Sequence, residues 1–170
     1  MSDNSSESQF AAFIDAVQQR SAVRILELGT EAPSFLLAII SATDWASNIE
    51  LHCAETATDG FDQELIAAAE NTDIDFQLIK HAGSETEVND AILELDTSLP
   101  FDAIFISNSS SNEALLTSLL VCHESLKHDG VLGLSAAVAQ NRLLSDAITS
   151  FKDMLGDAYR ESNDHIYVRV

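Results

Sequence analysis

Glu27-Leu28-Gly29-Thr30 ends an apolar run and leads into a helical pattern. Those residue types in that place suit a nucleotide-like ligand, because a glycine lets backbone come close and the next helix turns its amino end toward it. Taken alone, the segment serves equally as a plain strand-to-helix turn. Glu55 follows the next strand, at the spacing where a carboxylate accepts hydrogen bonds from two ribose hydroxyls. A solvated loop acid fits that position as well. Glu31 and Ala32 follow Thr30, so the Gly-x-Gly-x-x-Gly fingerprint is missing, and no Gly-Lys-Ser/Thr loop occurs. Pyrophosphate ligands are thereby disfavoured.

The remaining reactive side chains form few constellations. His52 and Cys53 face opposite sides of one strand, and Cys122-His123 lacks a paired motif, so no zinc site is expected. Ser109, Ser110 and Ser111 lack a nucleophile elbow, and helix capping accounts for them. His81 is the one histidine expected near a ligand, as a candidate base, with a surface-loop position as the alternative.

Strand and helix alternate to position these groups. Phe10, Phe13, Ile14 and Val17 recur at helical spacing and predict a short leading helix after a loose acidic, serine-rich tail over residues 1–9. Val23 to Leu28 is the first strand, and Pro33 suits the first turn of the following helix. Ile49, Leu51 and Cys53 alternate as a second strand, Asp59 is a plausible cap, and Leu65 to Ala69 is helical. Ile74, Phe76 and Leu78 follow as a third strand. Ser84 with Glu87, and Ser110 with Glu113, stand at capping-box spacing before the next two helices. Phe101 to Ile106 and Val131 to Leu134 are further strands, with Gly130 ending the helix between them. Leu143 to Leu155 then reads as one amphipathic helix. The chain closes on a hairpin with Tyr159 nearby, a turn at Ser162 to Asp164, and a strand over His165 to Val170.

This alternation predicts one α/β domain over residues 10–170, a Rossmann-like doubly wound sheet. The runs at Val23, Phe101 and Val131 are nearly continuously apolar and belong in the centre, whereas the second and third strands alternate and tolerate exposure nearer an edge. Seven strands in the order 3-2-1-4-5-7-6 result, with an antiparallel terminal hairpin. The winding reverses between strands 1 and 4, opening a crevice at their carboxyl ends. Residues 29–33 and 107–110 are expected to line it.

Composition bounds the partners. Eight basic residues against 28 acidic ones give a net charge of −20, which repels phosphate backbones and anionic lipids. Nucleic acid and membrane are excluded as partners on that reading. No apolar run approaches a bilayer span and the amino end lacks a secretory pattern, so a cytoplasmic setting is expected. Cys53 and Cys122 are expected as buried free thiols.

Arg24-Ile-Leu-Glu-Leu-Gly-Thr, Glu55, Pro100-Phe-Asp-Ala-Ile-Phe-Ile-Ser and Leu126-Lys-His-Asp-Gly-Val-Leu together resemble the successive motifs of class I S-adenosylmethionine-dependent methyltransferases. The similarity runs from Val23 nearly to the end and is nearest to small-molecule O-methyltransferases of the catechol type. It implies that Glu27, Gly29 and Thr30 face the methionine end of S-adenosylmethionine, Glu55 its ribose, and residues 81–84, with Ala82 and Ser84, its adenine. Ser107 joins this cofactor-binding set. Two departures stand out. Glu31 and Pro33 replace glycines, which puts bulk and negative charge beside the cofactor carboxylate, and Ser107-Asn108 replaces the aspartate of metal-dependent members. No metal is therefore expected. The implied activity is methyl transfer to a small-molecule acceptor, with a homodimer compatible; the alternative is a degenerate binding module on the same fold. A nicotinamide oxidoreductase ranks third, for want of its glycine fingerprint.

Overall fold

The computed structural model describes residues 4–21, 23–30, 34–42, 48–55, 62–72, 75–95, 98–163 and 165–170. Helix α1 spans Asn4–Gln19 and is followed by β1 (Arg24–Thr30), α2 (Ser34–Ala42), β2 (Asn48–Glu55), α3 (Asp62–Glu70) and β3 (Asp75–Ala82). Next come α4 (Glu85–Leu93), β4 (Phe101–Ile106), α5 (Asn112–Ser125), β5 (Leu126–Leu134), α6 (Ala136–Ala139) and α7 (Ser145–Leu155). A 3-10 turn, Gly156–Ala158, leads into β6 (Tyr159–Asn163) and β7 (Ile166–Arg169). The strands form one sheet in the order β3-β2-β1-β4-β5-β7-β6. The first five are parallel, and β7 runs antiparallel to both neighbours. This is the architecture expected from the alternation of elements.

Each face of the sheet carries its own core. Leu26, Leu28, Phe101, Ile104 and Ile106 pack beneath α4, α5 and α7, with Val88, Leu119 and Phe151 facing them. Ile25, Ala103, Phe105 and Val131 pack against α1 and α2. Phe13 of α1 meets Phe105 at 5.1 Å and Phe35 of α2 at 5.5 Å between ring centroids, both edge-on. Gly133 makes room for this cluster, because a Cβ there would collide with the Phe13 and Phe105 rings. β4 is buried along its whole length, as its nearly continuous apolar run requires.

Several boundaries differ from the sequence expectations, each for a local reason. α1 begins at Asn4, within the stretch assigned to a tail. Ile74, Asp59, Glu31 and Pro33 lie outside the described residues. β2 is buried over residues 51–54, because Leu51 and Cys53 pack in one core and Ala54 in the other, whereas β3, at the sheet edge, keeps partial exposure along its length. The cap of α5 is Ser111, whose Oγ accepts from the Ala114 amide at 3.1 Å, so Ser110 is not the cap. β5 begins at Leu126, and Gly130 lies inside it. Phe101 pairs with Leu126 and Ala103 with Val131, so residues 127–130 arch out opposite Asp102, with Asp129 at φ 63°. The helix expected from Leu143 starts at Ser145. Asn141 Oδ1 accepts the Leu143 amide at 2.9 Å and holds that stretch as a turn, leaving Leu143 79% exposed. Tyr159 opens β6 itself, and the turn begins later than residue 162.

Candidate functional site

The carboxyl ends of β1, β4 and β5 lie side by side at the point where the winding reverses. Ladder pairing continues past the strands, with the Ser107 amide donating to Leu28 O at 2.8 Å and the Ser135 amide to Ile106 O at 2.9 Å. Backbone register thus delivers Glu27, Ser107 and Ser135 to one place. Ser107 Oγ donates to Glu27 Oε1, and Ser135 Oγ donates to the Ser107 carbonyl at 2.6 Å. A polar chain results across the carboxyl ends of three neighbouring strands.

Glu27 is 1% exposed. Burial pushes its carboxyl up to about 7, against the opposing effect of the Ser107 hydrogen bond. Its second oxygen, Oε2, is buried without a hydrogen-bond partner, and so is the Thr30 hydroxyl beside it. An unpaired buried acceptor is costly to the fold. Gly29 takes φ 72°, and a Cβ there would collide with the Asn108 backbone carbonyl, so only glycine allows the loop after β4 to cross the end of β1.

That loop is tied down from the opposite side. Ser109 Oγ donates to Glu85 Oε1 at 2.7 Å, and the Ser110 amide to Glu85 Oε2 at 3.1 Å, with Ser110 Oγ joining the same oxygen. A narrow cleft runs underneath, between Leu28 and Gly29 on one side and Val88 and Asn89 on the other. At its floor the Asn89 amide and Ser118 hydroxyl exchange hydrogen bonds and satisfy each other.

The residues anticipated from sequence are thus unevenly assembled. Glu27, Gly29, Thr30 and Ser107 come together. Glu55 ends β2 and pairs with Thr30 on one side and Ala82 on the other, which sets its backbone at the crevice end; its side chain is outside the described residues. Ala82 and Ser84 sit at the end of β3, where Ser84 is engaged in a capping box: its Oγ accepts from the Glu87 amide while Glu87 Oε2 accepts the Ser84 amide at 2.8 Å. Ser135 and Glu85 were not anticipated. Ser135 follows β5 as Ser107 follows β4, and that parallel was the available signal; nothing local to Glu85 announced its partners. Among the described residues, no group of three or more His, Cys, Asp or Glu side chains could hold a metal ion. Ser107 is committed to Glu27.

No protein-family model and no curated protein matches the chain. Solved structures do. An O-methyltransferase from Bacillus cereus in complex with SAH superposes over 100% of this chain and 84% of its own, with a TM-score of 0.70 at 16% identity. The O-methyltransferase TomG from Streptomyces achromogenes, solved with SAM, covers 91% of this chain and 69% of its own, with a TM-score of 0.63 at 15% identity. An SAH-bound methyltransferase from Podospora anserina covers 99% and 79%, with a TM-score of 0.61 at 17% identity. The chain therefore has the fold of class I small-molecule O-methyltransferases.

Proposed function

We propose that the chain is an S-adenosylmethionine-dependent methyltransferase acting on a small-molecule acceptor without a metal ion. The observation that carries this reading is the buried Glu27 carboxyl with one oxygen unpartnered, beside an unpartnered Thr30 hydroxyl, at the switch point of this fold. Those two groups fit the ammonium of an amino-acid moiety, since both can accept its hydrogens and an ionised carboxylate balances its charge. Ser107 keeps the Glu27 carboxyl oriented, and Ser135 keeps Ser107 in place. Gly29 permits the backbone approach such a ligand needs. S-adenosylmethionine, when bound, supplies a sulfonium methyl group for in-line transfer, which asks mainly for positioning and exclusion of water.

The finer features follow from the same chain. Ser107-Asn108 after β4 and Ser135 after β5 offer hydroxyls and an amide rather than carboxylates, a poor set for a hard divalent cation. A net charge of −20 favours a small acceptor over nucleic acid. No helix among the described residues is long and apolar enough to cross a membrane, and a cytoplasmic setting and a homodimer agree with this reading.

Isothermal titration of the parent and of Glu27→Gln with S-adenosylmethionine and S-adenosylhomocysteine tests the proposal. Loss of a charge-assisted bond of about 1.5–3 kcal/mol predicts roughly 10- to 150-fold weaker binding by the variant. Binding by the parent should also tighten as pH rises through about 7, as Glu27 ionises. Absence of binding by the parent would favour a degenerate module on the same fold, the reading that Glu31 and Pro33 in the glycine-poor loop suggest.

A further inference from the structure

A chain of four polar side chains, from Arg24 to His81, crosses β1, β2 and β3 on the sheet face beneath α4, and the methyl-transfer reading gives no role to Arg24, Glu50 or His52. Arg24 Nε donates to Glu50 Oε1 at 2.6 Å. The same oxygen is hydrogen-bonded to His52 Nε2. His52 Nδ1 lies 2.9 Å from His81 Nε2, with the two rings within 11° of parallel and their centroids 5.2 Å apart, an edge-to-edge arrangement that suits an in-plane hydrogen bond. His52 is 1% exposed, and the Phe101 ring packs edge-on against it at 4.8 Å while also lying 4.7 Å beneath the Arg24 guanidinium. A buried polar chain of this kind has a definite geometry, because every misdirected hydrogen would be costly.

The direction of each hydrogen bond can be worked out. The neighbouring Arg24 guanidinium and the His52 ring hold Glu50 below the usual carboxylate range despite partial burial, so Glu50 accepts and His52 Nε2 carries the hydrogen. Burial disfavours a charged His52, which leaves its Nδ1 a bare acceptor. His81 Nε2 must then donate. A neutral imidazole has one hydrogen, so His81 Nδ1 keeps a free lone pair.

We propose that Glu50 and His52 are positioning residues that lock His81 in its Nε2–H tautomer, so that Nδ1 is an obligate hydrogen-bond acceptor selecting a ligand with an N–H or O–H donor at the carboxyl end of β3. His81 pairs with Ala54 and is followed by Ala82, which pairs with Glu55, so the half-buried ring stands at the ligand end of the sheet. That the selected donor belongs to the adenosyl portion of the crevice ligand rests on the methyltransferase reading; the tautomer lock does not.

Nitrogen NMR on the 15N-histidine-labelled full chain at pH 7.5 reads the lock directly. The expected result is a through-hydrogen-bond nitrogen–nitrogen coupling between His81 Nε2 and His52 Nδ1, with the hydrogen on His81, lost in His52→Phe. A hydrogen on His81 Nδ1, or mixed tautomers in the parent, would overturn the proposal. Titration with S-adenosylhomocysteine reads the consequence. His52→Phe and His81→Phe should each weaken binding roughly two- to tenfold, the worth of one neutral hydrogen bond. The double variant should lose no more than either, since both changes remove the same contact. A purely structural pair would instead show additive losses. Unchanged affinity in both variants, when the parent shows the coupling, would overturn the role of His81 as a ligand contact. If the parent binds nothing, the methyltransferase reading and that contact role fall together, while the coupling still decides the lock.

Discussion

Glu27 shows how one buried carboxyl can be costly to the fold. Its carboxyl is raised to about 7 by burial, whereas an unfolded chain would titrate near 4.5. The folded chain therefore binds the extra proton between those values, and stability falls as pH rises through that window. Glu27→Gln removes the titration while keeping an acceptor for Ser107. Urea unfolding at pH 5 and pH 8 should show the parent losing about 2 kcal/mol relative to the variant across that span. Equal pH dependence would mean Glu27 is not buried as a carboxylic acid. Asp102 illustrates the opposite case, a carboxylate fully used. Its Oδ2 accepts the Val23 and Arg24 amides, each at 2.8 Å, and its Oδ1 pairs with Lys127. It joins the start of β1 to the arch of β5, so Asp102→Ala should lower stability by about 2–4 kcal/mol through two orphaned amides. Lys127→Ala, which removes only the partly exposed ion pair, should cost under about 1 kcal/mol. Comparable losses would shift the weight from the amides to the ion pair.

At the scale of elements, short polar side chains set the ends and apolar faces set the packing. Ser84, Ser111 and Ser135 each cap a helix through a side-chain oxygen. Two serines, Ser110 and Ser111, precede α5, and only the tertiary contact with Glu85 separates their roles. Ser111→Ala should cost about 1 kcal/mol of global stability. Ser110→Ala should leave global stability nearly unchanged and instead raise amide exchange over residues 107–110, as hydrogen-exchange mass spectrometry would detect. The reverse pattern would return the cap to Ser110. Gly133 is an element-level requirement of a different kind, since its missing side chain admits Phe13 of α1 against Phe105. Gly133→Ala should destabilise the chain by about 1–3 kcal/mol through overpacking and loosen α1, seen as lost near-ultraviolet ellipticity. An unchanged spectrum and midpoint would show that α1 yields at no cost.

Over the whole molecule, the net charge of −20 sets solution behaviour more than it sets the fold. Repulsion among surface carboxylates is screened within about 10 Å at 0.1 M salt and about 3 Å at 1 M. The melting temperature should therefore rise by several degrees between those salt concentrations; a flat profile would show that the acids are already spaced or paired. The sequence by itself determined the fold class and the strand order, because nearly continuous apolar runs such as Phe101 to Ile106 belong in the centre of a sheet and a glycine after Glu27-Leu28 suits a turn. It also singled out Glu27, Gly29, Thr30 and Ser107. Those signals are local, written in hydropathy period and in residue type at a strand end. Tertiary structure alone decided what depends on contacts between distant segments. Ser107 reaches Glu27 across 80 positions, Glu85 holds Ser109 and Ser110 across 24 and 25, and His52 meets His81 across 29. Register between parallel strands makes those pairs. A hydrogen bond between two side chains leaves no periodic trace in either segment, so neither the relay to His81 nor the chain through Ser135 could be read before the strands were set side by side.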